Sequence, residues 1–214
     1  MVSNINRISL IAIIAMVIIS FTNLLGMRIA GISVLLGVVF FFVNKAVKKQ
    51  TPAESGLDFK AIGANLKQKS IWPWLILPLV MDGVSLTLAK LFLTEYIGHV
   101  VARAGIFVSF DKVILLIAQL VILALGEEIA WRGFFQKQLQ KKFPIAAVLV
   151  FSSLLFALGH IVYGNPAVVI YDVFFVFINS LLYGIIFYKI DNVWLSTISH
   201  FAANLFSILI LVFL

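Results

Sequence analysis

Long apolar runs, separated by short polar segments, dominate the pattern of residues along this chain. A helix that crosses a bilayer needs about 20 predominantly apolar residues, and the pattern predicts about seven such helices. They occupy residues 8–25, 29–44, 71–94, 112–136, 144–163, 167–188 and 193–214. The first run is long and is not followed by an A-x-A-like cleavage site, so we expect a retained helix rather than a signal peptide.

Composition places the chain in the membrane class. Of its 214 residues, 63% are hydrophobic and 12% are charged, and the mean hydropathy is +1.13. A soluble domain is about half apolar and about one quarter charged. We therefore expect an all-α, polytopic integral membrane protein of about seven to eight transmembrane helices. The chain has no cysteine, which excludes disulfides, a thiolate nucleophile and cysteine-based metal sites.

The positions of the basic residues predict the orientation. The net charge of +7 could indicate nucleic-acid binding, but most Lys and Arg residues flank the apolar runs, as membrane topology requires. With a cytoplasmic N-terminus, the outer side would hold only Arg28, Arg103 and Lys112. The inner side would hold Arg7, Lys45, Lys48, Lys49, Lys60, Lys67, Lys69, Lys137, Lys141, Lys142 and Lys189. We expect a multi-pass protein of the plasma membrane, with lipid as a partner and no nucleic acid.

One long polar segment, residues 45–70, interrupts the apolar pattern. Within it, Thr51-Pro52-Ala53-Glu54 resembles a helix start. The segment could form a basic amphipathic helix on the inner leaflet or a solvated loop, and the sequence favours neither. We divide the chain into an N-terminal two-helix membrane region with this basic cytoplasmic loop, 1–70, and a second region, 71–214.

The apolar stretch LALGEEIAWRGFF, residues 123–135, carries three charges. A charge at the bilayer centre costs about 2.5–3.5 kcal/mol on insertion scales. At about 100° per residue, Glu128 and Arg132 lie about 40° apart on a helix, within reach of an ion pair. Glu127 points elsewhere and should take up a proton or face a polar cavity, which makes it a candidate for chemistry. The alternative is that all three charges only join helices.

Two further predicted helices, also apolar, carry polar residues. His160 shares a face with Phe156 and Ser153, and a polar stripe on the last helix comprises Ser196, His200, Asn204 and Ser207. A single intramembrane histidine is more often a packed residue than a catalyst, so the argument rests on three helices together. A glutamate with one histidine could activate water, while the other histidine and the asparagine could stabilise an oxyanion.

The residues alone leave alternatives open. Two histidines and a glutamate could also hold a metal ion, although the H-E-x-x-H signature is absent. No G-x-S-x-G elbow supports a serine mechanism. A hydrolase is favoured only modestly over a transporter with a proton-relay carboxylate.

Three short motifs resemble those of a known family. EEIAWRGFF, FALGH and HFAAN match, in order, E-E-x-x-x-R, F-x-x-x-H and H-x-x-x-N/D. Together they resemble the CPBP family of CAAX proteases and bacteriocin-processing enzymes, also called the Abi family, which is related to the Ras-converting CAAX prenyl endopeptidase. The motifs cover residues 127–204, and the family domain would cover 70–214.

The resemblance implies an all-helical, glutamic-type intramembrane endopeptidase with its active site open to the cytoplasm. Glu127 and His160 would activate water, His200 and Asn204 would form the oxyanion hole, and a supporting ion pair would join Glu128 to Arg132. The resemblance favours a site without a cofactor. Zinc bound by Glu127, His160 and His200 is the less favoured alternative.

The expected function is hydrolysis of a peptide bond in a peptide or protein substrate. The biological role could be prenyl-peptide processing, bacteriocin or peptide processing, or self-immunity. The alternative is a non-catalytic bacteriocin-immunity or membrane scaffold protein of the same fold. The sequence predicts no oligomeric state.

Several other polar residues are assigned structural roles. His99 falls in an expected outer loop and is not a catalytic candidate. Asp82 and Lys90 are expected to contact other helices or helix ends rather than each other. Asp172, Asn179 and Tyr183 share one helical face, for which packing is favoured over lining a cavity. We expect Trp72, Trp74 and Trp194 to anchor helix ends at the membrane interface.

Overall fold

The computed structural model of the chain describes residues 5–24, 27–28, 30–105 and 112–213, and these are almost entirely helical. The helices are α1 Arg7–Ser20, α2 Ala30–Val47, α3 Pro52–Ser55, α4 Ile62–Leu66, α5 Trp72–Phe92, α6 Glu95–Gly105, α7 Val113–Glu128, α8 Lys137–Leu139, α9 Ile145–Gly159, α10 Pro166–Ile190 and α11 Val193–Phe213. A π-helix, Ile129–Gln136, joins α7 to α8, and short 3-10 turns occupy Phe59–Ala61 and Lys69–Ile71. Two two-residue strands, β1 Asn23–Leu24 and β2 Met27–Arg28, pair antiparallel between α1 and α2.

The all-α fold is confirmed and includes candidate membrane spans, whereas the predicted number of spans is not confirmed. Four helical segments of the described chain are long and apolar enough to cross a membrane: Lys69–Phe92, Val113–Leu139, Pro166–Ile190 and Val193–Leu211. Three more apolar helices are shorter: Arg7–Ser20, Gly31–Val47 and Ile145–Gly159. The 14 residues of α1 extend about 21 Å at 1.5 Å per residue, less than the roughly 30 Å of a bilayer core. The count of seven to eight therefore stays a prediction.

The π-helix lies at the centre of the largest apolar cluster. Buried residues from α1, α2 and α9 pack around its Ile129, Trp131, Phe134 and Phe135. Helix α2 approaches the π-helix closely at Gly37, where an added Cβ would lie 2.6 Å from the Cβ of Ala130. The first two helices thus share one apolar core with the charged segment.

The polar segment 45–70 folds into short helices held against the turn between α10 and α11. Thr51 and Glu54 form a capping box at the start of α3, as the sequence indicated. Gly56, at φ 81°, accepts a hydrogen bond of 2.7 Å from the Val193 amide. Lys137 donates to the Glu54 carbonyl at 2.9 Å and to the Asp191 carboxylate at 2.7 Å. The segment is therefore neither one continuous amphipathic helix nor a simple loop.

The connection expected to be an outer loop contains a helix, α6. Its residue Tyr96 is buried against Tyr171 of α10, with ring centroids 4.9 Å apart. Arg103 lies 3.1 Å and His99 lies 3.5 Å from the buried Asp172 carboxylate. Helix α6 is not predicted from the sequence because its apolar stretch is too short to resemble a membrane span.

Candidate active site

The three charges of the central helix lie where α7 passes into the π-helix. Glu127 and Glu128 form the last turn of α7, and Arg132 lies in the π-helix. One turn of a π-helix contains more residues than one turn of an α-helix, and such segments often occur at functional sites. Here it is surrounded by protein, since every residue of Ile129–Gln136 is buried. The charged groups are therefore held on a rigid part of the core.

The ion pair expected from the helical spacing is present. Arg132 Nη1 lies 3.1 Å from Glu128 Oε1, and Arg132 Nη2 donates to both the carbonyl and the hydroxyl of Ser180 at 2.9 Å. The guanidinium carbon also lies 4.9 Å from the ring centroid of Phe156 and 5.5 Å from that of Tyr183. This arrangement satisfies a buried charge with a carboxylate, two oxygen acceptors and two aromatic faces.

His200 of α11 lies between the two glutamates. Its Nδ1 is 3.0 Å from Glu128 Oε1, and its Nε2 is 3.7 Å from Glu127 Oε2. The imidazole stacks on Tyr183 of α10, with ring centroids 4.4 Å apart and planes 17° apart. The ring is therefore fixed by a hydrogen bond on one edge and by an aromatic face.

The two glutamates differ in exposure. The Glu128 side chain is 0% exposed, whereas the Glu127 side chain is 21% exposed. Glu128 is committed to Arg132 and His200, while Glu127 keeps accessible surface in addition to its contact with His200. Glu127 is therefore the glutamate that water could reach, as the helical spacing indicated.

His160 ends α9 and approaches the cluster through Phe156. Its Nδ1 lies 2.8 Å from the Phe156 carbonyl oxygen, and its ring centroid lies 4.4 Å from that of Phe156. Phe156 also meets His200 edge to face at 6.4 Å. The F-x-x-x-H spacing thus places one phenyl ring between the two histidines. Within the described part of the chain, His160 forms no ion pair with Glu127.

Asn204 lies one helical turn after His200 on α11 and is half-buried. Its side chain makes no hydrogen bond to any residue that the structure describes. The other members of the polar stripe are engaged: Ser196 donates to the Val193 carbonyl at 3.0 Å, and Ser207 donates to Asp82 at 2.7 Å. The asparagine amide therefore remains able to donate to a substrate.

A family model described as type II CAAX prenyl endopeptidase, Rce1-like, matches residues 109–206 of the chain. This segment is similar to that family. The match contains all three motifs and confirms the resemblance to the CAAX protease family, which is a family of membrane proteases. No curated protein and no solved structure matches the chain. The match gives no support to bacteriocin processing or to immunity.

The candidate zinc ligands Glu127, His160 and His200 are only partly brought together. Among the residues that the structure describes, no group of three His, Asp or Glu side chains could hold a metal ion. Glu127 and His200 lie 3.7 Å apart, whereas the Nδ1 atom of His160 is hydrogen-bonded to the Phe156 carbonyl. The absence of a cofactor from the reaction stays a prediction.

Several residues that contact the site are not identified as site residues from the sequence. Ser180 binds Arg132 from 48 positions away, and no local pattern indicates such a contact. Tyr183 was assigned to packing, and it packs on His200. Asp82 contacts other helices, as expected, through Asn179 and Ser207.

Proposed function

We propose that this protein is an intramembrane endopeptidase in which Glu127 activates a water molecule for attack on a peptide bond. One observation carries the proposal. Glu127 is partly exposed and lies 3.7 Å from His200, directly beside a fully buried Glu128 that is paired with Arg132. A protein that needed these charges only to join its helices would have no reason to leave one carboxylate without a strong partner inside the membrane.

In the proposed reaction, the Glu127 carboxylate accepts a proton from water while the water oxygen attacks the carbonyl carbon of the substrate. The same proton then passes to the nitrogen of the leaving peptide as the C–N bond breaks. The products are a new carboxylic acid, which releases its proton to become a carboxylate, and a new amine. No covalent enzyme intermediate is needed, which agrees with the absence of cysteine from the chain.

His160 is proposed to assist Glu127 in orienting the water. Its Nδ1 is occupied by the Phe156 carbonyl, so the Nε2 atom is the one available for a second contact. The hydrogen bond to its own helix fixes the ring plane, as a positioned general base or donor requires.

His200 and Asn204 are proposed to stabilise the oxyanion. When both ring nitrogens carry protons, His200 donates through Nδ1 to Glu128 and presents an Nε2–H beside Glu127. The unengaged Asn204 amide lies one turn further along the same face of α11. Two donors held on one rigid helix are the type of preorganised arrangement that lowers the barrier to acyl transfer.

The membrane arrangement is part of the proposal. The four long apolar helices and the three shorter ones would together give the seven spans that the sequence pattern predicts. With the N-terminus in the cytoplasm of a bacterial cell, the segment 45–70 and the α10–α11 turn would lie on the cytoplasmic side of the plasma membrane. The exposed face of Glu127 would then be reached by substrates from that side.

The match to prenyl endopeptidases selects the first substrate to test. Purified protein in detergent would be incubated with a peptide that ends in a C-terminal CAAX sequence, in farnesylated and unmodified forms, and with a peptide library of mixed sequence. Cleavage of any of the three, located by mass spectrometry, supports an endopeptidase, and preference for the farnesylated form supports prenyl-peptide processing. If none is cleaved by protein that is folded and monodisperse, the non-catalytic scaffold replaces this proposal.

A further inference from the structure

A second polar cluster lies between α5, α10 and α11, and its centre is the half-buried Asp82. Asn179 Nδ2 of α10 donates to Asp82 Oδ1 at 2.5 Å, and Ser207 Oγ of α11 donates to Asp82 Oδ2 at 2.7 Å. Each carboxylate oxygen therefore binds a different helix. The family match begins at residue 109, so it assigns no role to Asp82.

The two partners of Asp82 are linked to the candidate active site through their own helices. Ser207 lies three positions after Asn204 on α11, and Asn179 lies four positions before Tyr183 on α10. Residues at these spacings share one face of a helix. Tyr183 in turn stacks on the imidazole of His200. Asp82 thus fixes the two helices that carry the proposed oxyanion donors and the aromatic support of His200.

The hydrogen bonds of this cluster are also suited to holding α10 and α11 in fixed positions. Asp82 makes two short hydrogen bonds from one carboxylate, and the Asn179 side chain is buried. Inside a membrane few other partners compete for these hydrogen bonds. A loss of these contacts would leave Ser199, through its hydrogen bond to the Leu75 carbonyl, as the polar contact that joins α11 to α5 among the described residues, and the part of α11 that carries Asn204 could then shift.

We propose that Asp82 is a positioning residue for the hydrolysis: its contacts with Ser207 and Asn179 set Asn204 and His200 relative to Glu127. The inference rests on the proposed function. It requires only the hydrogen bonds of Asp82 and not its charge. An asparagine at this position could accept a hydrogen bond from Ser207 and could donate one to the Asn179 amide oxygen. That oxygen is buried and has no hydrogen-bond partner among the described residues.

The test compares the steady-state kinetics of Asp82→Leu, Asp82→Asn and Ser207→Ala with those of the wild type, on the peptide that the wild type cleaves. Displacement of a reacting group by about 1 Å can cost about 100-fold in rate, so we expect kcat of Asp82→Leu to fall by about tenfold or more with KM unchanged. Asp82→Asn should retain most of the activity. Ser207→Ala should lower kcat, and adding it to Asp82→Leu should cause little further loss, because both remove the same contact.

Ser20→Ala is the matched control, since Ser20 is a buried serine that donates only to the Met16 carbonyl of its own helix, and its kcat should equal that of the wild type. Equal kcat for Asp82→Leu and wild type would overturn the inference, as would a loss in Asp82→Asn as large as that in Asp82→Leu. If Asp82→Leu does not fold, the decision passes to Ser207→Ala, whose unchanged kcat would likewise overturn it. An inactive wild type would instead count against the proposed function.

Discussion

The two ring nitrogens of His200 face two different glutamates, with Nδ1 3.0 Å from Glu128 Oε1 and Nε2 3.7 Å from Glu127 Oε2. One glutamate is enclosed by Arg132 and protein, whereas the other keeps exposed surface. The adjacent acidic residues of the E-E-x-x-x-R motif thus occupy different environments, although they follow each other in the chain. The structural role of Glu128 can therefore be separated by mutation from the chemical role proposed for Glu127.

Glu128→Ala should destabilise the protein strongly. It leaves Arg132 without its carboxylate and removes the hydrogen-bond partner of His200. Breaking a buried ion pair by removing one member typically costs about 3–5 kcal/mol. Denaturant unfolding in detergent would measure the change, and Arg132→Ala should give a similar loss.

Glu127→Ala is the comparison for that experiment, because the Glu127 side chain is partly exposed and has a longer contact to His200. Its unfolding midpoint should lie near that of the wild type. Equal losses of stability in Glu127→Ala and Glu128→Ala would contradict the division of roles between the two glutamates.

Gly37→Ala should destabilise the packing of α2 against the π-helix. A Cβ at position 37 would lie 2.6 Å from Ala130 Cβ and 2.9 Å from Met16 Cε. Overpacking of this kind costs about 1–3 kcal/mol. Thermal unfolding would show the loss, and Gly31→Ala in the same helix is the control, since a Cβ there meets nothing within 4 Å. The control should be neutral or slightly more stable, because alanine favours helix.

Stability should rise with pH between about 8 and 10.5 because of Lys141. Burial and the neighbouring Lys48 lower the pKa of Lys141 from 10.5 to about 8 in the folded protein. Between these two values the unfolded chain binds more protons than the folded one, so folding gains stability as pH increases. Below pH 8 the amine is protonated in both states and the penalty is fully present.

Lys141→Gln should therefore be more stable than the wild type at pH 7 and should lack the added stabilisation at higher pH. Unfolding midpoints at several pH values would measure both effects. Lys142→Gln is the control, because Lys142 is exposed, and it should keep the pH dependence of the wild type. If the unfolding midpoints of Lys141→Gln vary with pH as those of the wild type do, the Lys141 amine is not the cause of that pH dependence.

The local parts of the site were predictable from the sequence, whereas its tertiary contacts were not. The Glu128–Arg132 pair follows from the spacing of four residues, and the capping box at Thr51 follows from a short motif. The contact of Arg132 with Ser180 and the stacking of Tyr183 on His200 join distant helices. Such contacts depend on helix rotation and packing, which periodicity does not fix.

The helices of the fold were likewise predictable only where the local sequence pattern is distinctive. Apolar runs indicated every long helix, because lipid demands continuous apolar surface. They overestimated the lengths of α1 and α9, whose apolar residues partly continue beyond the helix into turns. Apolar periodicity does not distinguish a π-helix from an α-helix, and α6 resembled a loop because its apolar stretch is too short for a membrane span.

The most direct test of the central claim is peptide cleavage by detergent-purified wild type, Glu127→Gln and Glu95→Gln, each with and without a strong chelator. Glu95 is an exposed glutamate that accepts a hydrogen bond from Asn165 at the N-terminus of α10, so Glu95→Gln controls for loss of a carboxylate. We predict that Glu127→Gln alone abolishes cleavage and that the chelator has no effect. Full activity in Glu127→Gln would contradict the catalytic assignment, and loss of wild-type activity with the chelator would contradict the metal-free mechanism.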